Sequence, residues 1–548
     1  MTLWPKWIRI YFNGIFRGFC VPGGATTLLK YPVIMYIRIL LLDMQAPYSI
    51  YYRPVKNSYF LRGNETMNEN PLHTIMNAKS IAFFGASNNP LTMGTNQITH
   101  LINEPFEGKV WPIHPKEQTV LGIPAYKTIG ELPEVPDLAV LVVPTRIVLE
   151  IMDQCGRKGI KHAVVISGGF KERGQEGEKL EEELKAIARR YQIRFIGPNC
   201  IGVINAKRNF NLTVFPYLVG PGPMGVLSHS GTYVTQVLPY LAMRNIRYSK
   251  AVSLGNEANI DMVDGLEYLG QDPETKVVVL YIEVIRRGRE FVEVARRVSM
   301  KKPIVAYYVG GTEAGARSGA SHTGAMGGND IIYDNAFRQC GIIRAPSMER
   351  LFDWAWALAT TPIPQGRRVG ILSHSGGPVT SMADACARNN IEVPLFSKKI
   401  QDEITPMVPK TGSAANPVDL TYSTNLQAMI DTIPRTIFKA GEVDAVLIHG
   451  VGGLGFTKNL RQEALDISPV DISALESQMI KMYQELIELK EKMSCPVIVT
   501  SFSDYTDAAV SYLMKNDIPF YSTPERTVEA MAAVMRYADW KRTQEARQ

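Results

Sequence analysis

Beyond residue 66 the chain alternates short, wholly apolar runs with amphipathic stretches. Ser80–Phe84 (SIAFF), Lys109–Trp111, Asp137–Val143 (DLAVLVV), Ala163–Ile166 (AVVI) and Arg194–Ile196 predict strands buried on both faces. Thr145–Lys158 and Arg173–Tyr191 predict helices between them. Uninterrupted apolar strands separated by helices mean a parallel sheet covered on both sides.

An internal repeat follows. GVLSHSGTYVTQVLPYLAMRNI (225–246) and GILSHSGGPVTSMADACARNNI (370–391) align without gaps and agree at 11 of 22 positions. Each copy follows a Gly/Pro-rich linker, Gly220–Gly225 or Thr360–Gly366. Two copies of one strand–turn–helix unit predict two domains of the same fold. The body therefore divides into 67–203, 204–362 and 363–548. Ile472, Leu475, Met479, Met482, Leu486, Leu489 and Met493 form a heptad stripe. It suits either a crossover helix on its own sheet or a packing face for another subunit.

Charge changes the picture at one end only. The 548 residues carry 59 Lys+Arg against 53 Asp+Glu, a net of +6. Residues 1–66 hold eight of those bases, opposed only by Asp43 and Glu65, so the body is neutral. The excess therefore gives no reason to expect nucleic acid or a membrane surface. Residues 1–66 are also crowded with Tyr, Phe and Trp. Tyr31–Leu42 is too short for a membrane span and contains Arg38. A signal peptide and a Ser-rich transit peptide fit poorly. The expectation is that 1–66 is upstream sequence read as protein, with the native start at Met67.

Cys20, Cys155, Cys200, Cys340, Cys386 and Cys495 form no C-x-x-C pair, and no metal-ligand spacing is readable. Scattered cysteines of this kind predict a reducing, cytoplasmic setting.

Four places could carry chemistry. Gly85-Ala86-Ser87 ends the first strand ahead of a helix, a geometry that favours phosphate. The G-x-G-x-x-G fingerprint is absent, and PIHPK (112–116) stands where NAD enzymes place an acid. Lys116 there suits a ligand with an additional phosphate. The two Ser-His-Ser-Gly turns offer hydroxyls and N–H groups at a strand-to-helix junction, or serve only as helix caps. They fail the G-x-S-x-G pattern of a hydrolase elbow. The small-residue loop 315–328 (GARSGASHTGAMGG) carries His322, suited to a mobile nucleophile or to a solvated loop. Glu283 closes the apolar run VVVLYIE, either as a histidine's partner or as a solvated strand end.

Together these residues resemble the α subunit of the NDP-forming acyl-CoA synthetases, relatives of succinyl-CoA synthetase. The likeness covers Met67 to the end. G-x-R-x(4)-H-T-G at 315–324 resembles the phosphohistidine loop. GPNCIG (197–202) and ISGGF (166–170) are similar to the CoA-domain signatures, SHSGT (228–232) to a phosphate-binding helix start, and NPVD (416–419) to a ligase-domain motif. The resemblance implies a Rossmann-like CoA-binding domain followed by two flavodoxin-like domains. It implies that acyl-CoA, NDP and phosphate interconvert with acid, CoA and NTP, by default ADP and ATP. His322 would then carry a phosphoryl group and Glu283 would steady it. Ser228, Ser230, Gly231 and Thr232 would hold phosphate. Gly85, Ala86, Ser87, Pro115, Lys116, Ser167 and Asn199 would lie along CoA. The three domains leave no room for an ATP-grasp portion. A β subunit with that fold is expected to supply the Mg²⁺–nucleotide site, making a hetero-oligomer. The third domain, with no loop like that around His322, reads as a structural or interface duplicate. The rival readings are a non-catalytic CoA-binding regulator or scaffold, which would need neither His322 nor Glu283, and an NAD oxidoreductase, disfavoured by the missing fingerprint.

Overall fold

A computed structural model describes residues 67–103, 106–315, 317, 319, 328–421, 423, 425–452 and 472–547. His322 and residues 1–66 lie outside them. The first sheet contains β1 (Ser80–Phe84), β2 (Lys109–Ile113), β5 (Leu138–Leu141), β6 (His162–Val165) and β7 (Arg194–Ile196), all parallel. A small hairpin, β3 (Thr119–Val120) and β4 (Ile123–Pro124), branches off after β2. The strand order is β2-β1-β5-β6-β7. Every residue of β1 and β5 is buried, which is why these strands read as continuous apolar runs.

The second sheet contains β8 (Val203–Asn205), β9 (Phe210–Asn211), β10 (Met224–Ser228), β11 (Tyr248–Ser253), β12 (Val277–Ile282), β13 (Ile304–Tyr308) and β14 (Ile342–Arg344). Its order is β14-β13-β12-β10-β11-β8-β9, with β8 and β9 antiparallel at one edge. The third contains β15 (Val369–Ser373), β16 (Val418–Asp419), β17 (Ala445–His449), β18 (Val497–Thr500) and β19 (Phe520–Tyr521), ordered β16-β15-β17-β18-β19.

In each sheet the five parallel strands share one connectivity. The first strand is central, the second lies on one side, and the third, fourth and fifth lie on the other. Each sheet thus has a switch point beside its first strand, where doubly wound sheets leave a crevice at the carboxyl ends. Gly85, Ser228 and Ser373 close the three first strands or follow them directly. The repeat seen in the sequence marks two of these points, and the first sheet shares their connectivity without sharing their residues.

The second and third sheets share a core. The helix Met348–Thr360 and the C-terminal helix Pro524–Glu545 pack together between them, burying Trp354, Trp356, Met531 and Met535. Asp353 is fully buried there, with Arg244 Nη2 at 2.5 Å and Arg526 Nη2 at 2.8 Å. The heptad stripe is also spent inside the protein. Met479, Leu486 and Leu489 are buried on the third sheet's core, and Met482 and Met493 pack against it. The side chains of Ile472 and Leu475 lie outside the described residues.

The five cysteines among the described residues are buried and unbridged. No described helix is long and apolar enough to cross a membrane.

Candidate functional site

The first crevice is built by close backbone approach. Gly85 has φ +96, and a Cβ there would lie 1.9 Å from Val142 O. Gly94, in the helix Met93–Asn103, would place its Cβ 2.4 Å from Gly85 O. Only glycine lets the helix start seat on the strand end. Thr95 closes the turn: its hydroxyl accepts the Ser87 N–H at 3.0 Å and donates to Ser87 O at 2.9 Å. At the end of β2, His114 Nδ1 accepts the N–H groups of Lys116 and Glu117 at 3.2 and 2.9 Å. This leaves Pro115 and Lys116 exposed.

Ser167 and Asn199 are less free than expected. The Ser167 hydroxyl donates to Val143 O at 2.6 Å and accepts the Val143 N–H, tying β5 to β6. Its carbonyl accepts the Asn199 N–H at 2.9 Å. Asn199, at φ +59, donates its amide to Asn256 Oδ1 at 3.3 Å. Both residues therefore brace the loops around the crevice.

The segment 254–258 links the first crevice to the second. A Cβ on Gly255 would stand 2.2 Å from Pro198 O. Leu254 N–H donates to Ser228 O at 2.8 Å, and Asn256 N–H donates to Pro198 O at 2.9 Å. Ile201 N–H donates to Ser253 Oγ at 3.2 Å. The CoA-signature loop 197–202 and the Ser-His-Ser-Gly-Thr turn thus meet along one short segment.

The turn itself departs from expectation. Ser228 is fully buried, and its hydroxyl donates to Ser230 O at 2.6 Å, so it braces the turn. Gly231–Tyr233 is a single 3₁₀ turn with no side-chain cap, and an α-helix follows only at Leu238–Ala242. Thr232, Val234, Thr235 and Val237 are β-branched, and Pro239 follows, so a long helix is disfavoured there. The repeat copy has Gly376-Gly377-Pro378 at its start, where proline is tolerated, and it forms a full helix, Gly376–Arg388. At 228–232 any anion is therefore held by the orphan N–H groups of a short turn, with little helix dipole behind them.

Glu283 follows β12 and is buried, not a solvated strand end. The Tyr281 phenol lies within the field of its carboxylate. Burial and that carboxylate push the Tyr281 hydroxyl well above its usual range. Tyr233 stacks on Tyr281 at 4.1 Å between ring centroids, and Tyr307 packs edge-on at 6.0 Å.

The loop that carries His322 returns to the described structure at Gly328. There the Tyr308 hydroxyl lies 2.9 Å from both Gly328 N and Gly328 O. Tyr308 stacks on Tyr333, whose hydroxyl accepts the Ile285 N–H at 3.0 Å. The loop's exit is thus tied, through two tyrosines, to the backbone two residues from Glu283.

Glu257 was missed in the sequence. It is buried, with φ +53, and its carboxylate lies 3.1 Å from His229 Nε2. Its one signal is an acid in SLGNEA, just past a strand. In the third sheet the Asn416 side chain of NPVD accepts Ile371 N–H at 3.1 Å and donates to Val369 O at 2.7 Å, pinning the loop to β15.

A family described as "CoA binding domain" matches residues 79–206. One described as "Succinyl-CoA ligase like flavodoxin domain" matches 221–358. The chain is 34% identical over 475 residues to the ADP-forming acetate–CoA ligase I subunit alpha of Pyrococcus furiosus, covering 86% of this chain and 98% of that one. It is 32% identical to the ADP-forming 4-hydroxybutyrate–CoA ligase of Nitrosopumilus maritimus, covering 85% of this chain and 64% of that longer protein. A solved structure, the dinucleotide-forming acetyl-coenzyme A synthetase 1 of Ca. Korarchaeum cryptofilum in complex with phosphate and ADP, matches with a TM-score of 0.74. Its identity is 35%, over 86% of this chain and 97% of that one.

Proposed function

The chain belongs to the family of α subunits of ADP-forming acyl-CoA synthetases, and on that premise we propose that it interconverts acyl-CoA, ADP and phosphate with a carboxylic acid, CoA and ATP as one part of a two-chain enzyme. CoA lies along Gly85, Ala86, Ser87, Pro115, Lys116, Ser167 and Asn199, with Lys116 answering its phosphates. Phosphate sits on the N–H groups of the turn at Ser230, Gly231 and Thr232, which Ser228 braces. A phosphate oxygen attacks the thioester carbonyl, the C–S bond breaks, and CoA leaves as thiolate. His322 then attacks the phosphorus of the acyl phosphate, the P–O bond to the acyl group breaks, and the carboxylate leaves. Splitting one hard transfer into two makes each step easier. Glu283 accepts the imidazole N–H of the phosphohistidine, which later hands its phosphoryl group to ADP.

ADP and its Mg²⁺ sit on a partner subunit with the ATP-grasp fold. Among the described residues of this chain no group of three or more His, Cys, Asp or Glu could hold a metal. The working domains are 67–203, 204–362 and 363–548, in the cytoplasm.

The observation that supports this reading best is the buried Glu283 at the switch point of the second sheet, beside the anchor of the His322 loop. A CoA-binding scaffold has no use for a carboxylate buried there. Radiolabelled phosphate with acyl-CoA should give an acid-labile label on His322 in the complex with the β chain, and His322→Asn should abolish both label and turnover. A His322→Asn enzyme that still completes turnover defeats the proposal.

A further inference from the structure

His229 lies between the phosphate turn and the residue that receives His322. Its ring is 3% exposed. Nε2 faces Glu257 Oε2 at 3.1 Å. Nδ1 lies 3.2 Å from Tyr281 O and 3.3 Å from Glu283 N. We propose that His229 is a positioning residue: braced by Glu257, its ring fixes the backbone from which Glu283 projects and so sets how Glu283 meets the phosphohistidine. This rests on the role given above to Glu283 and His322.

The brace is built. Glu257 Oε1 accepts the Met262 N–H at 2.7 Å, and Arg286 Nε lies 3.5 Å from Oε2. Glu257 is therefore held on one side by the start of the helix Met262–Gln271 and on the other by the segment after β12. Its left-handed backbone is a strained conformation for a glutamate, kept where the surroundings over-determine it.

The ring has two mutually exclusive ways to hold that backbone. As imidazolium it sets its charge against Glu257 and donates from Nδ1 to Tyr281 O. As neutral imidazole with the proton on Nε2, it accepts the Glu283 N–H at Nδ1. Burial alone would lower its pKa, but the charge of Glu257 at 3.1 Å, then that of Glu283 and the Tyr281 carbonyl, raise it above the usual value. The charged or titratable groups packed around the ring are Glu257, Glu283 and Arg286. The Tyr333 hydroxyl, on the helix Asp330–Cys340, also feels the Glu257 charge.

The cationic ring offsets one of two buried carboxylates beside a site that must accept a dianion. Phosphoryl transfer therefore falls as pH rises through the His229 pKa. Removing the Glu257 charge moves that alkaline limb toward acid.

The test uses the complex with the β chain and follows acid-labile label on His322 against pH. In Glu257→Gln the midpoint of the alkaline limb should move down by about one pH unit. In His229→Asn that limb should vanish and kcat should fall about ten-fold, with the KM for CoA less affected. Should Glu257→Gln fail to fold, Glu257→Asp withdraws the charge by one methylene, and its limb should move the same way by less. A wild-type complex without label on His322 overturns the functional reading. A labelled wild type whose limb is unmoved in either Glu257 variant overturns this inference alone.

Discussion

Asp353→Asn tests whether the second and third sheets unfold as one body. Asp353 is fully buried, Arg244 nearly so, and Arg526 partly so. The Asp353 carbonyl also accepts the Tyr521 hydroxyl at 2.6 Å. Arg244 has no escape to water, because its guanidinium sits over Tyr240, Tyr505 and Tyr521. Asparagine keeps the shape and removes the charge, leaving the buried Arg244 guanidinium without its carboxylate, while Arg526 keeps Glu349 at 2.7 Å. Breaking a buried pair from one side costs about 3–5 kcal/mol. Spread over a cooperative body of this size, that lowers Tm by about 5 °C. Calorimetry of the full chain should show one transition moving down, with the contributions of the second and third sheets still coincident. A shift below about 1 °C, or a split transition in which only the third sheet's contribution moves, would refute the shared core.

Glu283→Gln should cut labelling of His322 by about 100-fold or more, as expected when one preorganised partner of a developing charge is lost; unchanged labelling would remove Glu283 from the chemistry. Gly94→Val should weaken CoA binding measured by calorimetry, because the side chain would meet the Gly85 carbonyl at the seat of the helix. Lys116→Ala should weaken CoA by about 1.5–3 kcal/mol and flatten the salt dependence of binding, and an equal salt slope in both proteins would show that Lys116 does not face the phosphates. Burial, then the neighbouring His374, lowers the His449 pKa to about 4. Since the unfolded ring protonates near 6.5, stability should fall as pH drops from that value toward about 4. His449→Gln should flatten that limb in denaturant melts across pH.

Much of the first sheet was legible because its strands are buried on both faces, so apolar runs such as SIAFF stand out from the helices. The repeat exposed two of the three switch points by identity. The first sheet shares their connectivity without sharing their residues, because strand order is set by packing that many sequences satisfy. Glu283 could be picked out because a carboxylate ending six buried strand residues has few bland explanations. Glu257 could not, since its meaning depends on a contact with His229 made 28 positions away in the chain. The segment after Ser230 resembles a helix start yet forms only a 3₁₀ turn, because the β-branched residues from 232 to 237 disfavour the helix that the matching motif at 373–376 does begin.

The register of the strands shows what separates the two copies chemically. Ser228 on β10 pairs with Tyr281 on β12, and Ser373 on β15 pairs with His449 on β17. Two residues past Tyr281 stands Glu283; two residues past His449 stands Val451, fully buried. The third sheet thus has an apolar side chain where the second has its carboxylate. At the position of Tyr281 stands His449, which turns Nδ1 to the Ser373 hydroxyl at 3.1 Å. His374 stacks near it at 6.3 Å, instead of meeting an acid as His229 meets Glu257. The buried His449 and the half-buried His374 beside it, with no carboxylate facing them, have no means to steady a phosphohistidine. The duplicate has the same motif and connectivity, and lacks the charged partners that would let it receive one. Restoring function there would need an acid at 451 and another facing His374, two buried charges at once. Each is destabilising unless a cation pairs with it, which is a physical reason for the proposed chemistry to reside in one copy.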